Sequence, residues 1–269
     1  MTKTTSAKRR IALVTSAFAA LALLVSMVPA TATATATTVD AGSASTMAAK
    51  TKAATAKKKT PTNVKAAATI ASPTDFTSIF AGQLPAYTNS GWTSCPAAIS
   101  WNVDTTGLTE AQATRQLANL EYAFAQWTTA SGLTFTFAGA RDLVANETSF
   151  AVTAADGSAS PSRHINLAFL DDASSTLLGG STVGMAGPST VWADSKEIEG
   201  GAGIFLTEAV RKMSDTQARA LYTHELGHVL GLGHANEAGN IMSPVVGERS
   251  ELGAGDIAGV KTMTKPCAA

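Results

Sequence analysis

Apolar and polar residues alternate over positions 98–103, with Ile99, Trp101 and Val103 on one side, and this period of two predicts a strand. Over residues 109–131 the period lengthens. Ala113, Leu117, Leu120, Phe124 and Trp127 recur at steps of three and four, which predicts an amphipathic helix stopped by Gly132. Apolar runs at 133–137 and 165–170 predict further strands, and 180–186 and 204–206 are weaker candidates separated by a glycine-rich loop. Ser214 and Gln217 have the spacing of a capping box, so a second helix is expected over about 215–230. A last helix is expected over about 254–263. Strands interleaved with helices place the chain in the α/β (α+β) class.

The first 75 residues carry neither period. Lys8, Arg9 and Arg10 precede an apolar run over 11–28, then Pro29 and alanine-rich sequence with small-residue cleavage options between Ala30 and Ala36. This pattern predicts a signal peptide over 1–36. A membrane anchor is the weaker alternative, because the run is short and followed by small residues. The Arg9–Arg10 pair leaves a twin-arginine route open beside the general one, and without a cysteine near the cleavage region no lipid attachment is expected. Residues 37–75 are Ala, Thr, Ser and Lys, too poor in large apolar groups to offset the entropy of ordering, and are expected to be a disordered linker or propeptide. The folded domain is expected over 76–269.

Charge divides the chain in the same place. Residues 1–75 carry 10 Lys+Arg against 2 Asp+Glu, and residues 76–269 carry 10 against 18, although the whole is formally neutral. A basic run such as Lys57, Lys58 and Lys59 is read first as a solubilising linker, with a propeptide arm or a tether to anionic cell-envelope polymers as alternatives. The acidic domain has no basic patch, so no nucleic-acid partner is expected. Cys95 and Cys267, the only cysteines, stand near the two ends of that domain. In an exported chain a disulfide is the expected pairing, the alternative being Cys95 as a thiol that caps a metal.

The chemistry is concentrated in residues 223–234, THELGHVLGLGH. Residues four apart share a helix face, so His224 and His228 can aim two imidazoles at one point. Catalytic zinc takes three protein ligands and keeps one position open, and His234 is the candidate for the third. A continuing helix would carry His234 to the wrong azimuth. Gly231 and Gly233 permit the chain to leave the helix in time. Glu225, next to the first ligand, is suited to act as general base on a zinc-activated water. HExxH alone is a moderately specific pattern. Here three of the chain's 4 histidines fall in one short window with the glycines the geometry needs.

HELGHVLGLGH followed by NIMSP (residues 240–244) resembles the metzincin metallopeptidases, whose motif ends in a Met-turn. Within that clan the chain is most similar to the matrixins, in particular the secreted matrixin-type peptidases of actinobacteria. The segments SCPAAISWNVD, INLAFLDD and GAGDIAGVKTM agree, and the likeness runs from about Ser90 to the C-terminus. It implies a matrixin-like catalytic domain: a twisted mixed sheet, a long first helix, a zinc helix, a Met-turn at Met242 and a C-terminal helix. It also implies one catalytic zinc on His224, His228 and His234, Glu225 as catalytic base, an upper-rim strand near residues 182–187, and Asp256 bracing the Met-turn. Vertebrate-type matrixins carry a second, structural zinc, but only His164 is left over here, so a single zinc is expected. His164 is read as a surface or hydrogen-bonded histidine. Ser243 and Pro244 leave no counterpart to the extra tyrosine ligand of astacin-like and serralysin-like enzymes, and the PRCGxPD propeptide switch is missing. Asp171 and Asp172 beside Gly179 and Gly180 are a candidate calcium loop.

The sequence therefore predicts a secreted, monomeric zinc endopeptidase acting on extracellular protein or peptide substrates, with no stable membrane insertion after signal cleavage. The alternative is a secreted zinc-bearing binding or adhesion module without turnover.

Overall fold

The computed structural model describes residues 10–12 (backbone only), 71–146, 151–171, 175–245, 247 and 249–267. Most of the expected signal peptide and linker lies outside these residues. The exceptions are Arg10–Ala12 and residues 71–75.

A six-stranded sheet organises the domain, in the order β1-β7-β8-β6-β2-β3. Its strands are β1 (Arg10–Ala12), β2 (Ile99–Asp104), β3 (Phe135–Ala140), β6 (His164–Leu170), β7 (Gly184–Trp192) and β8 (Ile198–Leu206). The strands β3, β2, β6 and β8 run parallel, while β7 is antiparallel to β8 and β1 antiparallel to β7. A small hairpin, β4 (Leu143–Asn146) with β5 (Ala151–Ala154), forms a second sheet. The helices are α1 (Glu110–Ser131), α2 (Thr207–Lys212), α3 (Asp215–Val229) and α4 (Ala254–Met263). The mixed α/β architecture expected from the sequence is thus present.

Local chemistry explains the ends of the helices. Thr109 and Gln112 close a capping box at the start of α1, and Gly132 stops it in the left-handed conformation. Ser214 and Gln217 do the same at the start of α3, which ends one residue earlier than expected, with Leu230 as its cap. Tertiary packing sets α3 against α1 and the sheet. Leu120, Phe124 and Trp127 of α1, Leu221, Leu226 and Val229 of α3, and Ile165 and Leu167 of β6 share one buried cluster. The Trp127 indole N–H donates to Thr223 O at 2.8 Å, tying α1 to the turn of α3 that carries the histidines. A glycine in β8 lets α3 approach the sheet, since a Cβ at Gly201 would stand 2.5 Å from Val229 Cγ1.

Three expectations shift. The strand placed at 133–137 is β3, which begins at Phe135 and runs to Ala140, because residues 132 and 133 bond back to α1 in leaving it. The two weak candidates, 180–186 and 204–206, are ends of β7 and β8, two nine-residue partners rich in Gly, Ala, Pro and Ser. Folded structure also begins ahead of residue 76, since Ala71 is buried and Asp75 is fully hydrogen bonded.

Cys95 and Cys267 form a disulfide across 172 residues. Backbone hydrogen bonds Lys265 N to Trp92 O and Ser94 N to Lys265 O, each 2.8 Å, zip the same two ends together. No free cysteine remains, so the alternative of Cys95 as a metal-capping thiol falls. Among the described residues no helix is long and apolar enough to cross a membrane.

Candidate active site

The helix α3 sets His224 and His228 one turn apart, with ring centroids 4.8 Å from each other. Gly231, at φ +100, then turns the chain out of the helix, with Gly231 N bonded to His228 O and Leu232 N to Gly227 O. That turn returns His234 to the pair, its ring 5.5 Å from His224 and 5.0 Å from His228. The ligand atoms of the three lie within 4.8 Å of one another, and no other group of three or more His, Cys, Asp or Glu among the described residues is so placed.

Backbone carbonyls fix the rings. His224 Nδ1 meets Ile241 O at 2.7 Å, and His228 Nδ1 meets Leu232 O at 2.8 Å. A carbonyl only accepts, so each Nδ1 carries the proton and each Nε2 keeps a free lone pair. All three Nε2 atoms, His234 included, are buried without a hydrogen-bond partner. Orphaned buried nitrogens are costly, and three that converge fit a tetrahedral metal with nitrogen ligands. Burial keeps the imidazoles neutral, as a metal requires. Desolvation pushes His224 down to about 3, opposed by its bond to Ile241 and assisted by His234, and lowers His228 and His234 as well.

Glu225 is fully buried, and neither carboxylate oxygen makes a well-formed hydrogen bond, with the Ala186 backbone as a polar neighbour. Burial lifts it to about 8, against a smaller lowering by the Ala186 backbone. The strand β7 closes over it. A Cβ at Gly184 would come within 3.2 Å of both Glu225 Cγ and Oε1, so a glycine there leaves the carboxylate its room.

Met242 lies beneath the histidines against Gly227, where any Cβ would overlap its sulfur and stand 2.9 Å from Trp127 Cζ2. Asp256, at the start of α4, holds this turn. Its Oδ2 accepts from Ile241 N and Gly253 N, each at 2.6 Å, and its Oδ1 accepts from Met242 N at 3.1 Å. Because the Ile241 carbonyl in turn bonds His224, Asp256 acts on a histidine through one peptide unit.

Other predicted residues fall elsewhere. His164 is buried in β6 with both ring nitrogens bonded, Nδ1 to Ser100 Oγ at 2.6 Å and Nε2 to Asn166 Oδ1 at 2.9 Å. Asp171 is far in the chain from any described metal cluster, Asp172 lies outside the described residues, and calcium gains no support. The segment missed by sequence reading is 72–79, which runs beside the loop carrying His234. Its only sequence signal is the change from Ala/Thr/Lys composition to ASPTDFTSIF.

A helix-borne histidine pair, a third histidine beyond a glycine turn and a methionine turn beneath them define a metzincin. The model of the family described as Peptidase_M10, Matrixin, matches residues 91–264, and the chain belongs to this family of zinc metallopeptidases. Among solved structures it is similar to metalloproteinase-II from Bacteroides fragilis, at 17% identity over 64% of this chain and 55% of that one, with a TM-score of 0.38. It is also similar to Myroilysin, at 17% identity over 55% and 46% of the two chains, with a TM-score of 0.28. The match thus spans about half the length of those proteins. No curated protein matches the chain.

Proposed function

We propose that the chain is an exported zinc endopeptidase in which His224, His228 and His234 hold one zinc and Glu225 is the catalytic base. The observation that carries this reading is the convergence of three buried, unpartnered Nε2 atoms beside a fully buried carboxylate. Zinc bound there supplies Lewis acidity for the attacking water and the scissile carbonyl. Glu225 accepts the proton of that water as its oxygen bonds to the carbonyl carbon, and returns a proton to the leaving nitrogen as the C–N bond breaks. The His224 and His228 N–H groups, tied to Ile241 O and Leu232 O, hold the rings in orientation throughout.

Among the described residues no strand pairs with the outer edge of residues 184–189, and that edge begins beside Glu225. An extended substrate added there would be gripped by its backbone, giving cleavage tolerant of side chains. We read residues 1–36 as the export signal, whose removal takes β1 from the outer end of β7 and leaves five strands, and the stretch up to residue 70 as a linker or propeptide, with extracellular proteins or peptides as substrates of a monomeric enzyme. A zinc-bearing adhesion module would have no use for Glu225.

Hydrolysis of casein or gelatin with and without a chelator tests the reading. Turnover that is lost to the chelator and restored by zinc is expected. Turnover that ignores the chelator, or none from zinc-loaded protein, overturns it.

A further inference from the structure

The geometry points to Asp75 as a positioning residue for the zinc centre, one that holds the beginning of the loop between His234 and Met242 as Asp256 holds its end. The inference rests on reading the three histidines as zinc ligands. Asp75 Oδ1 accepts from Asn236 N at 3.0 Å and from Asn236 Nδ2 at 3.1 Å. Its Oδ2 accepts from Glu237 N at 2.7 Å and from Asn240 Nδ2 at 2.8 Å. Each oxygen therefore meets two donors, and every contact crosses more than 160 positions of sequence.

The neighbours of Asp75 complete a strap along the same loop. Thr77 Oγ1 donates to the carbonyl of His234 itself at 2.9 Å, and Thr77 O accepts from Gly233 N at 2.9 Å. Ile79 N donates to Gly231 O at 2.9 Å, and Ser72 N donates to Glu237 Oε2 at 2.8 Å. The fit is close: a Cβ at Gly233 would stand 2.5 Å from Thr77 Oγ1, and one at Gly255 would overlap the Asp75 carbonyl.

Residues 235–240 form neither helix nor strand; Ala235 N donates to Met242 O at 2.8 Å and Asn240 N to Glu237 O at 3.0 Å within the loop, and further bonds come from outside. Two carboxylates supply them. Asp256 binds the amides of Ile241 and Met242 at the end of the loop, and Asp75 binds the amides of Asn236 and Glu237 at its beginning. Asn240 joins the two systems, giving its amide hydrogens to Asp75 and accepting from Gly255 N at 3.0 Å. What the loop carries at either end is metal chemistry: His234 as a ligand, and Ile241 O as the acceptor that orients His224.

The site demands a carboxylate. Four donors face two oxygens, and an asparagine, in either orientation, would turn its NH2 toward two of them. Asp75→Asn, which keeps the size of the side chain, should therefore loosen the zinc almost as much as Asp75→Ala. Partners bonded directly to a ligand are worth about 10- to 100-fold in metal affinity, and Asp75, which bonds the loop behind His234, acts one step further out. A processing cut that leaves the zinc centre intact must fall ahead of Asp75.

The test uses the full chain loaded with zinc and follows zinc transfer to a chromogenic chelator, with the visible spectrum of the cobalt-substituted protein as a second readout. Thr77→Val is a milder variant that spares Asp75. Arg115→Ala, which breaks the Arg115–Asp215 pair away from the zinc, controls for general destabilisation. Asp75→Asn and Asp75→Ala are expected to speed zinc loss by up to about 10-fold, the lower end of that range, and to alter the cobalt spectrum, with Thr77→Val between them and wild type. Arg115→Ala should match wild type in both. Zinc loss at the wild-type rate from Asp75→Asn, or equal acceleration in Arg115→Ala at the same melting temperature, overturns the inference. Should Asp75→Ala not fold, Asp75→Asn and Thr77→Val decide. Failure to find one zinc on the wild-type chain would sink the underlying ligand assignment instead.

Discussion

Two buried histidine environments lie on the same domain and differ in what their nitrogens meet. His164 borders a cavity of about 320 Å³ lined also by Asn166, Ser162 and Glu199, yet both of its nitrogens are bonded. Asn166 donates its amide hydrogens to Val152 O and Ser160 Oγ, which turns its oxygen to His164 Nε2 and fixes a neutral tautomer with Ser100 as the donor to Nδ1. In the triad, each helix-borne histidine is satisfied at Nδ1 and left open at Nε2. Burial and a nearby cavity are shared or favour His164. The open lone pairs are what separate a metal centre from a structural histidine.

Removing one of the proposed ligands should break that contrast most completely. His228→Ala is expected to lose its zinc and reduce proteolysis to background, as metal analysis and casein turnover would show. A crowded floor comes next. Gly227→Ala forces a methyl into Met242 and Trp127, and should cost about 1–3 kcal/mol in denaturant unfolding and weaken zinc retention. The double change Cys95→Ser, Cys267→Ser should lower stability by a similar or slightly larger amount, about 2–4 kcal/mol, while the zinc content stays at one per chain.

The smallest effect is expected at His164. His164→Gln should leave zinc content and turnover unchanged and cost about 1 kcal/mol at neutral pH. Its pH dependence sharpens the comparison. Desolvation lowers His164 below its ordinary 6.5, outweighing the bond to Asn166, with Arg141 adding to the fall. The unfolded chain thus binds this proton more readily, so the contribution of His164 to stability is whole above about pH 6.5 and declines as the pH falls below it. Wild type should lose more stability than His164→Gln between pH 6.5 and 5. Parallel curves would remove His164 as the cause.

How much of this could be read from the chain depends on range. The zinc helix, its capping box, the glycine break and the Met-turn are local patterns, and Gly231 at positive φ sits where the histidine spacing required a turn. The long helix was legible for the same reason. By contrast, β7 and β8 carry five glycines between them, which weakens their strand propensity, and they owe their form to pairing with each other and of β8 with β6. The β4–β5 hairpin and α2 were too short to give a period. Asp75 was hidden most deeply: its partners lie more than 160 residues away, and it stands at the end of a stretch whose composition reads as linker. Asp256 came through only because a family resemblance pointed to its helix.

Casein turnover by zinc-loaded Glu225→Gln, set beside wild type, tests the central claim most directly. The substitution keeps the shape of the side chain and removes its ability to take a proton. The account predicts one zinc per chain in both proteins and turnover lowered by about 10²- to 10⁴-fold in the variant. Undiminished turnover with zinc bound would contradict it.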